Sequence, residues 1–321
     1  MILIVKVNYF YGLLIGWEVV RMDGYEFQIV IPAYDGIDVI GDTLNSIYKN
    51  KGISNPFIRV ICNGCKDGTE ALIKAYQENH PNLFLYEFSN RIGRLNAINH
   101  ALSDIPYECP VLVIGQEQQI EGEIGTFHEV SKRKKLVLPR IRTDLIHIEG
   151  EEGQVINAYN RIRAYINNGS LSRYGVFGFG MNGRRKLPNG LIPFFVLDDD
   201  VITGYYSDEE VGVPNMFVVE SYSDAIDIES IIRKRARIKA GIGQIRDAVE
   251  RGDIPTPRVM RDRIEGTNFH RTNPIDREKA REMGMVDEYE IYLEIDRLAK
   301  EMASLYSDEL IEYWLGEEFI E

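Results

Sequence analysis

Three consecutive aspartates, Asp198, Asp199 and Asp200, directly follow the apolar run FFVL. Carboxylates that lie close together in a largely buried environment repel one another, and this repulsion raises the pKa of one of them. A carboxylate with a raised pKa can accept the proton of a substrate hydroxyl. The pattern therefore indicates a general base. A solvated acidic loop is the alternative, and the apolar residues before the aspartates count against it.

Two polar segments also follow apolar runs. The run FQIVIPAY ends before Asp35, and the run FIRVIC ends before Asn63. Loops that follow parallel strands lie on the ligand-binding side of a sheet. Asn63 offers an amide to a base edge, and Asp67 and Thr69 can cap the next helix. We expect a nucleotide at this edge, although a plain helix-capping turn explains NGCKDGT equally well.

The segment NRIGRLNAIN (90–99) places Arg91 and Arg94 on either side of a glycine at a predicted helix start. Backbone N–H groups at a helix start favour an anion, and arginine binds phosphate oxygens through a planar fork of donors. The segment therefore predicts an anion site. A pair of surface arginines is the ordinary alternative.

The apolar run VLVIG ends in the turn GQEQ (115–118). For a ligand that carries phosphates, this strand end is where two carboxylates would hold a metal ion. The turn offers a single acid, Glu117, between Gln116 and Gln118. A hard divalent cation prefers anionic oxygen ligands, and glutamine supplies neutral ones.

Short apolar runs alternate with amphipathic segments over the first part of the chain, which predicts βαβ units around a parallel sheet. The predicted strands are 27–34, 57–64, 83–88 and 111–115, and the predicted helices are 38–50, 70–80 and 93–102. The fold class is therefore α/β. This is the first half of a nucleotide-binding domain.

The second half is less regular, with Gly-punctuated and apolar runs between longer helical patterns. We predict strands at 134–141 and 216–221, a helix at 157–168, a basic helix at 230–252 and an acidic helical tail at 286–315. We divide the chain into an extension (1–22), a nucleotide-binding half (23–125), an acceptor-binding half (126–225), and a basic helix with its acidic tail (226–321).

The chain has 321 residues and a formal net charge of -13. This charge excludes wrapping of a nucleic acid, because no basic excess is present to displace counterions. Three cysteines suit a reducing compartment, and we expect a cytoplasmic protein. Cys62 and Cys65 form a C-x-x-C whose redox chemistry is less expected than simple packing at a strand end. Residues 1–21 are apolar but interrupted by charges, so we expect neither a membrane span nor a signal peptide.

In this order, the segments IPAYDG, CNGCKDGT, GRLNAIN, GFGMNGRRKL with FFVLDDD, and RKRARIKAGIGQ resemble the family 2 inverting glycosyltransferases of the GT-A fold. The resemblance covers roughly residues 26–246. It implies a Rossmann-like, mostly parallel sheet with flanking helices and a helical C-terminal extension. It also implies transfer of a sugar from a nucleotide-diphosphate sugar to a hydroxyl acceptor, such as a saccharide or polysaccharide intermediate, and it leaves association with a membrane open.

The resemblance assigns roles to individual residues. Asp199 and Asp200 match the acidic pair, with Asp200 as the base. The remaining candidates would contact the nucleotide sugar: Pro32, Ala33, Tyr34, Asp35, Asn63, Asp67, Arg94, Glu117, Arg237 and Gln244. The arginines at 233, 235 and 237 would share the charge of the departing diphosphate with Arg94.

The turn GQEQ departs from the family, which has Asp-x-Asp at this place. Cys62 also replaces an acid that often precedes the N-G turn. No cofactor is therefore assigned, beyond a Mn or Mg ion bound weakly at Glu117. Two alternatives to an active transferase stay open: a degenerate GT-A-like binding protein, and a sugar nucleotidyltransferase. The second normally needs basic residues directly after the first strand, and IPAYDGID has none.

Overall fold

Four parallel strands form the centre of the protein because their residues are almost wholly apolar. The computed structural model describes residues 25–50, 56–145, 147–167, 177–193, 201–221, 227–257 and 275–305. Its first four strands are β1 (Phe27–Ala33), β2 (Pro56–Asn63), β3 (Leu83–Phe88) and β4 (Val111–Val113). Every residue of β1 and β2 is buried, as expected for a parallel sheet that is covered on both faces.

Three helices connect these strands: α1 (Ile40–Tyr48), α2 (Thr69–Gln77) and α3 (Arg94–Ser103). The strand order is β3-β2-β1-β4, so the chain winds outward from β1 and then returns to its other side. The apolar side chains of α1 and α2 pack in one core cluster, and those of α3 pack in a second. The strand order therefore changes direction between β1 and β4. In α/β sheets the loops diverge at such a point and leave a crevice for a ligand.

The second half of the chain completes this sheet. Strand β8 (Phe177–Phe179) pairs antiparallel with β4 and with β6 (Leu136–Val137), and β6 pairs parallel with β9 (Val211–Gly212). The result is a seven-stranded sheet, mostly parallel, as expected from the sequence.

A second, three-stranded sheet lies beside the first, in the order β5-β10-β7. Its strands are β5 (Gln118–Gly122), β7 (Arg140–Asp144) and β10 (Met216–Ser221). The predicted strand at 134–141 is thus split between two sheets. Pro139 lies at the break, and proline has no N–H to donate to a strand ladder.

Helices cover the remaining described chain. They are α4 (Gly125–Ser131), α5 (Gly150–Asn167), α6 (Ile228–Arg251), α7 (Arg277–Glu282) and α8 (Val286–Ala303). The C-terminal half of α6 packs Ile245 and Ala248 against Val201, and α5, α6 and α8 share a small core of their own. No helix in the described part of the chain is long and apolar enough to cross a membrane. The predicted extension, 1–22, lies outside the described residues.

Asp296 of α8 holds α6 in place. Its two carboxylate oxygens accept hydrogen bonds from Arg235 (2.7 Å) and Lys239 (2.8 Å) of α6. Burial alone disfavours the charged form of Asp296, but the hydrogen bonds from Lys239 and Arg235 outweigh it and lower the pKa of this carboxyl.

We predict that Asp296→Asn lowers the free energy of unfolding by about 1.5–3 kcal/mol at pH 7, because two charge-assisted hydrogen bonds are weakened. The pKa of Asp296 is lower in the folded than in the unfolded chain, so its stabilisation is complete above the unfolded value and fades as the pH falls below roughly 4. Urea unfolding at several pH values measures this difference. Asp247→Asn, at an exposed position of α6, is the control. An equal effect of both substitutions would contradict the prediction.

Candidate functional site

The loops after β1 and β4 are joined by a two-point contact at the crevice. The backbone N–H of Tyr34 donates to Oε1 of Gln116 (2.8 Å), and Nε2 of Gln116 donates to the carbonyl oxygen of Tyr34 (3.0 Å). A Cβ atom at Gly36 would lie 2.4 Å from Gln116 Oε1, so the amide fits only beside a glycine. The hydroxyl of Thr43 fixes the same turn by donating to the carbonyl of Gln116 (2.6 Å).

The loops after β1 and β2 are joined in the same way, by side chains that bind backbone groups. Asp35 has a positive φ of 41°, and its Oδ1 accepts the N–H of Lys66 (2.7 Å). The thiol of Cys65 donates to the carbonyl of Ala33 (3.5 Å). The carboxylate of Asp35 is therefore used in shaping the loop.

Asp67 makes a third link between these loops. Its Oδ2 accepts the N–H of Ile37 (2.9 Å), and its Oδ1 accepts the N–H of Thr69 (3.0 Å). Burial opposes ionisation of Asp67, but the hydrogen bonds from Thr69 and Ile37 lower its pKa. The hydroxyl of Thr69 in turn accepts the N–H of Gly36 (2.8 Å). Asp67 thus shapes the turn, but the N-cap of α2 is Gly68 and no side chain of the described residues caps the helix, so the expectation that Asp67 and Thr69 cap it is wrong.

Asn63 ends β2 and positions the loop that carries the two arginines. Its side chain is buried, and its Oδ1 accepts the N–H of Ile92 (2.7 Å). Gly64 has a φ of 76°, and a Cβ there would lie 2.6 Å from the backbone nitrogen of Arg91. The arginine loop therefore lies directly against the end of β2.

An exposed cation and an exposed aromatic ring face each other at the mouth of the crevice. The guanidinium carbon of Arg91 lies 4.4 Å from the ring centroid of Tyr34, which is 39% exposed. Arg94 is half-buried and is the first residue of α3. The strand end, the ring and the helix start together form a place where a flat base and an anionic group can bind side by side.

The glutamine side chains of the turn after β4 are hydrogen-bonded to nearby backbone groups. Gln118 is buried, and its Oε1 accepts the N–H of Gly115 (2.6 Å), while the amide of Gln116 is bound to Tyr34. Glu117 remains as the one half-exposed acid. Within the described ranges no three His, Cys, Asp or Glu side chains lie close enough to hold a metal ion. Both amide oxygens already accept a backbone N–H, so Glu117 supplies the charged oxygen that this turn offers to a divalent cation, and one carboxylate holds such an ion weakly.

Two contacts that the sequence did not reveal attach α3 to the segment that leads to the three aspartates. Asn99 donates to the carbonyl of Ile192 (2.9 Å) and accepts its N–H (2.9 Å), and both groups are buried. The buried guanidinium of Arg184 donates to the carbonyls of Leu102 (2.6 Å) and Pro106 (3.2 Å) at the end of α3. The helix that begins with Arg94 therefore positions the chain before residue 193.

The other predicted site residues lie in different settings. Pro32 and Ala33 are buried within β1, so their side chains pack in the sheet. Asp199 and Asp200 lie outside the described residues. On α6, Arg237 is exposed and Gln244 is half-buried beside Ile245, which packs on Val201.

The basic residues of α6 do not act as one group. Arg233 pairs with Glu229 of the same helix, and Arg235 pairs with Asp296 of α8. Both cations are used in interactions within the helical part of the protein. The prediction that they share the charge of a diphosphate with Arg94 therefore has no support from these contacts.

We predict that Gln116→Glu lowers the free energy of unfolding by about 1–3 kcal/mol, because a carboxylate cannot donate to the Tyr34 carbonyl and repels it. Gln119→Glu, three residues further on and half-exposed, is the matched control and should change stability by less than about 0.5 kcal/mol. Thermal unfolding and Mn²⁺ titration of both variants provide the measurement. Equal stability of the two variants would contradict a structural role for this amide, whereas Mn²⁺ binding gained by Gln116→Glu alone would show that an acid pair here suits a cation.

Part of the sequence matches a known protein family, and the fold is similar to solved structures. Residues 28–111 match the family described as Glycosyl transferase family 2. No curated protein matches the chain. The fold is similar to that of the mannosyltransferase PcManGT from Pyrobaculum calidifontis, solved in complex with GDP-Man and Mn2+, with a TM-score of 0.50, 15% identity, and coverage of 90% of this chain and 78% of that chain.

A second similar structure is that of S. aureus TarS 1-349 in complex with UDP, with a TM-score of 0.48, 13% identity, and coverage of 90% of this chain and 77% of that chain. At 15% identity the likeness to PcManGT shows the fold. The similarity to known proteins is therefore a match of residues 28–111 to the family 2 glycosyltransferases and a fold shared with PcManGT.

Proposed function

We propose that this protein transfers a sugar from a nucleotide-diphosphate sugar to a hydroxyl acceptor and inverts the anomeric configuration. The observation that carries the proposal is the crevice between β1 and β4, where the Tyr34 ring, the arginine loop and the start of α3 meet. PcManGT, which has the same fold, was solved with GDP-Man and Mn2+. A nucleotide sugar is therefore the ligand class that fits both the geometry and the family.

The donor binds with its base at the mouth of the crevice and its diphosphate towards α3. The Tyr34 ring offers a flat apolar face, and Asp35 and Asp67 keep the loops around it in one conformation through their backbone contacts. The diphosphate lies near the N–H groups that open α3 and near Arg94. An anion is favoured there by the partial positive charge of a helix N-terminus.

The acceptor binds on the side of the three aspartates. Of the described residues before and after 194–200, Ile192 is bound by Asn99 of α3, and Val201 packs on Ile245 of α6. These two contacts motivate the proposal that Asp199 and Asp200 serve the acceptor. Gln244 is the neighbour of Ile245 on α6, and we propose that it contacts the acceptor.

The reaction is a single displacement. Asp200 takes the proton of the acceptor hydroxyl. The hydroxyl oxygen of the acceptor attacks the anomeric carbon from the face opposite the diphosphate. The bond to the diphosphate oxygen breaks as the new glycosidic bond forms, through a transition state with oxocarbenium character. Arg94 and Arg237 stabilise the charge that grows on the departing diphosphate. Preorganised cations are effective in this role because they need no rearrangement during the step.

We predict that Asp200→Asn lowers the turnover number by about 10²–10⁴-fold and leaves nucleotide affinity nearly unchanged, since a general base acts on the acceptor. Release of nucleoside diphosphate from a panel of donors, with calorimetry for binding, measures both quantities. Asp287→Asn, at an exposed position on α8, is the control. Near-normal turnover of Asp200→Asn would transfer the role to Asp199, and a wild-type chain that binds but never turns over would support the binding-protein alternative.

We further predict that charge on the diphosphate is stabilised mainly by arginine. Arg94→Ala or Arg237→Ala should lower turnover by about 10²–10³-fold, while Glu117→Gln lowers it by less than about tenfold. A chelator should change the wild-type rate little, because one carboxylate gives weak ligation to Mn²⁺ or Mg²⁺.

The same assay, with and without chelator, compares all three variants. Complete inactivation by chelator together with an inactive Glu117→Gln would show instead that the turn after β4 holds an essential metal ion. That result would also show that the amides of Gln116 and Gln118 rearrange when the ligand binds.

A further inference from the structure

Two thiols lie together at the end of β2, inside the turn that borders the crevice. Cys62 is completely buried in the core, whereas Cys65 is partly exposed and packs against the same apolar cluster. Cys62 pairs with Ala33 in the register of β1 and β2, and the thiol of Cys65 donates to the carbonyl of the same Ala33 (3.5 Å). The pair is therefore a buried thiol beside a more accessible one.

The surroundings make Cys65 the more reactive of the two. The hydrogen bond from Cys62, and then one from the backbone of Asp35, lower the pKa of Cys65 in spite of partial burial. The same hydrogen bond, followed by burial, raises the pKa of Cys62. Because the thiolate is the attacking form, an external reagent should meet Cys65 first.

We propose that Cys62 and Cys65 form a redox-active dithiol that is oxidised to an intramolecular disulfide by a low-molecular-weight disulfide. Cys65 as thiolate attacks one sulfur of the reagent and releases one small thiol. Cys62 then loses its proton and attacks the Cys65 sulfur of the mixed disulfide, which releases the second small thiol. The protein loses two electrons and two protons, and the reagent takes them up as two thiols.

Formation of this disulfide must change the turn. The two sulfur atoms have to approach to about 2.05 Å, which is much closer than a hydrogen-bonded contact. Cys62 is buried and fixed within β2, so Cys65 has to move. The Cys65 thiol then loses its hydrogen bond to the Ala33 carbonyl. The next residue, Lys66, moves with Cys65, and the hydrogen bond from its N–H to Asp35 is weakened. Oxidation therefore disturbs the loop that begins at Tyr34.

The order of attack is testable by mass spectrometry of the intact protein after incubation with oxidised glutathione. Wild type should lose two hydrogen atoms and retain no glutathione. Cys62→Ala should retain one glutathione at Cys65, because the resolving thiol is missing, and Cys65→Ser should stay unmodified at Cys62. Cys109→Ser is the control and should behave as wild type, since Cys109 lies at the start of β4, at the opposite end of the sheet.

A wild type that keeps glutathione, or remains a dithiol while Cys62→Ala is readily modified, would overturn the proposal. Should Cys62→Ala fail to fold, the disulfide-linked peptide in a digest of oxidised wild type decides the same question. A Cys62–Cys65 linkage supports the dithiol, and pairing with Cys109 contradicts it.

The expected effect of oxidation on ligand binding at the crevice rests on the proposed function. It is measured separately, as the affinity for a nucleoside diphosphate. Calorimetry should give the oxidised protein a nucleoside diphosphate affinity lower by roughly tenfold, the loss expected for about one hydrogen bond. Reduction with dithiothreitol should restore it, and Cys65→Ser should not respond to the oxidant. If the reduced protein binds no nucleoside diphosphate, the proposed function fails while the mass result still stands. Equal affinity of both forms would overturn the link between the dithiol and the crevice.

Discussion

The pair of hydrogen bonds between Gln116 and the backbone of Tyr34 is the contact on which the crevice depends. The strand order reverses between β1 and β4, so the loops at the ends of these two parallel strands would otherwise diverge. A single amide, which can both donate and accept, closes that gap. A carboxylate at the same position could only accept. The acid pair expected at this turn and the amide found there are therefore alternatives, one suited to a cation and the other to joining two loops.

Side chains also bind backbone groups around the rest of the crevice. Asp35, Asn63 and Asp67 each bind backbone N–H groups of a neighbouring loop, and Asn99 binds both backbone groups of Ile192. Most of the polar side chains proposed to line the crevice thus hold its walls in position. We propose that the ligand is contacted by the Tyr34 ring, by the arginines near the start of α3 and by Arg237. A rigid wall with a few cations suits a ligand whose charge grows during reaction, because no donor has to reorient.

Much of the first half of the fold follows from the sequence, because buried parallel strands such as β1 and β2 are unbroken apolar runs and the helices between them are amphipathic. Strand β5 was missed, because QQIEG has one buried apolar residue, Ile120, and no regular alternation. The loops of the site were predicted from their positions after strands. Their individual contacts were not, because Asn99 and Ile192 are 93 positions apart and nothing local marks the pair. The basic helix was recognised from its charge, but the role predicted for its arginines was not supported. Arg235 pairs with Asp296, which lies on a helix much later in the chain, and the sequence does not mark this pair.

The central claim is that the crevice between β1 and β4 binds a nucleoside diphosphate largely without help from a metal ion. Calorimetric titration of the reduced wild-type protein with a panel of nucleoside diphosphates, once with Mn²⁺ and once with a chelator, tests it most directly. At least one of them should bind with a dissociation constant that differs by less than about fivefold between the two conditions, since one carboxylate provides little ligation. Binding that is seen only with Mn²⁺, or no binding in either condition, would contradict it.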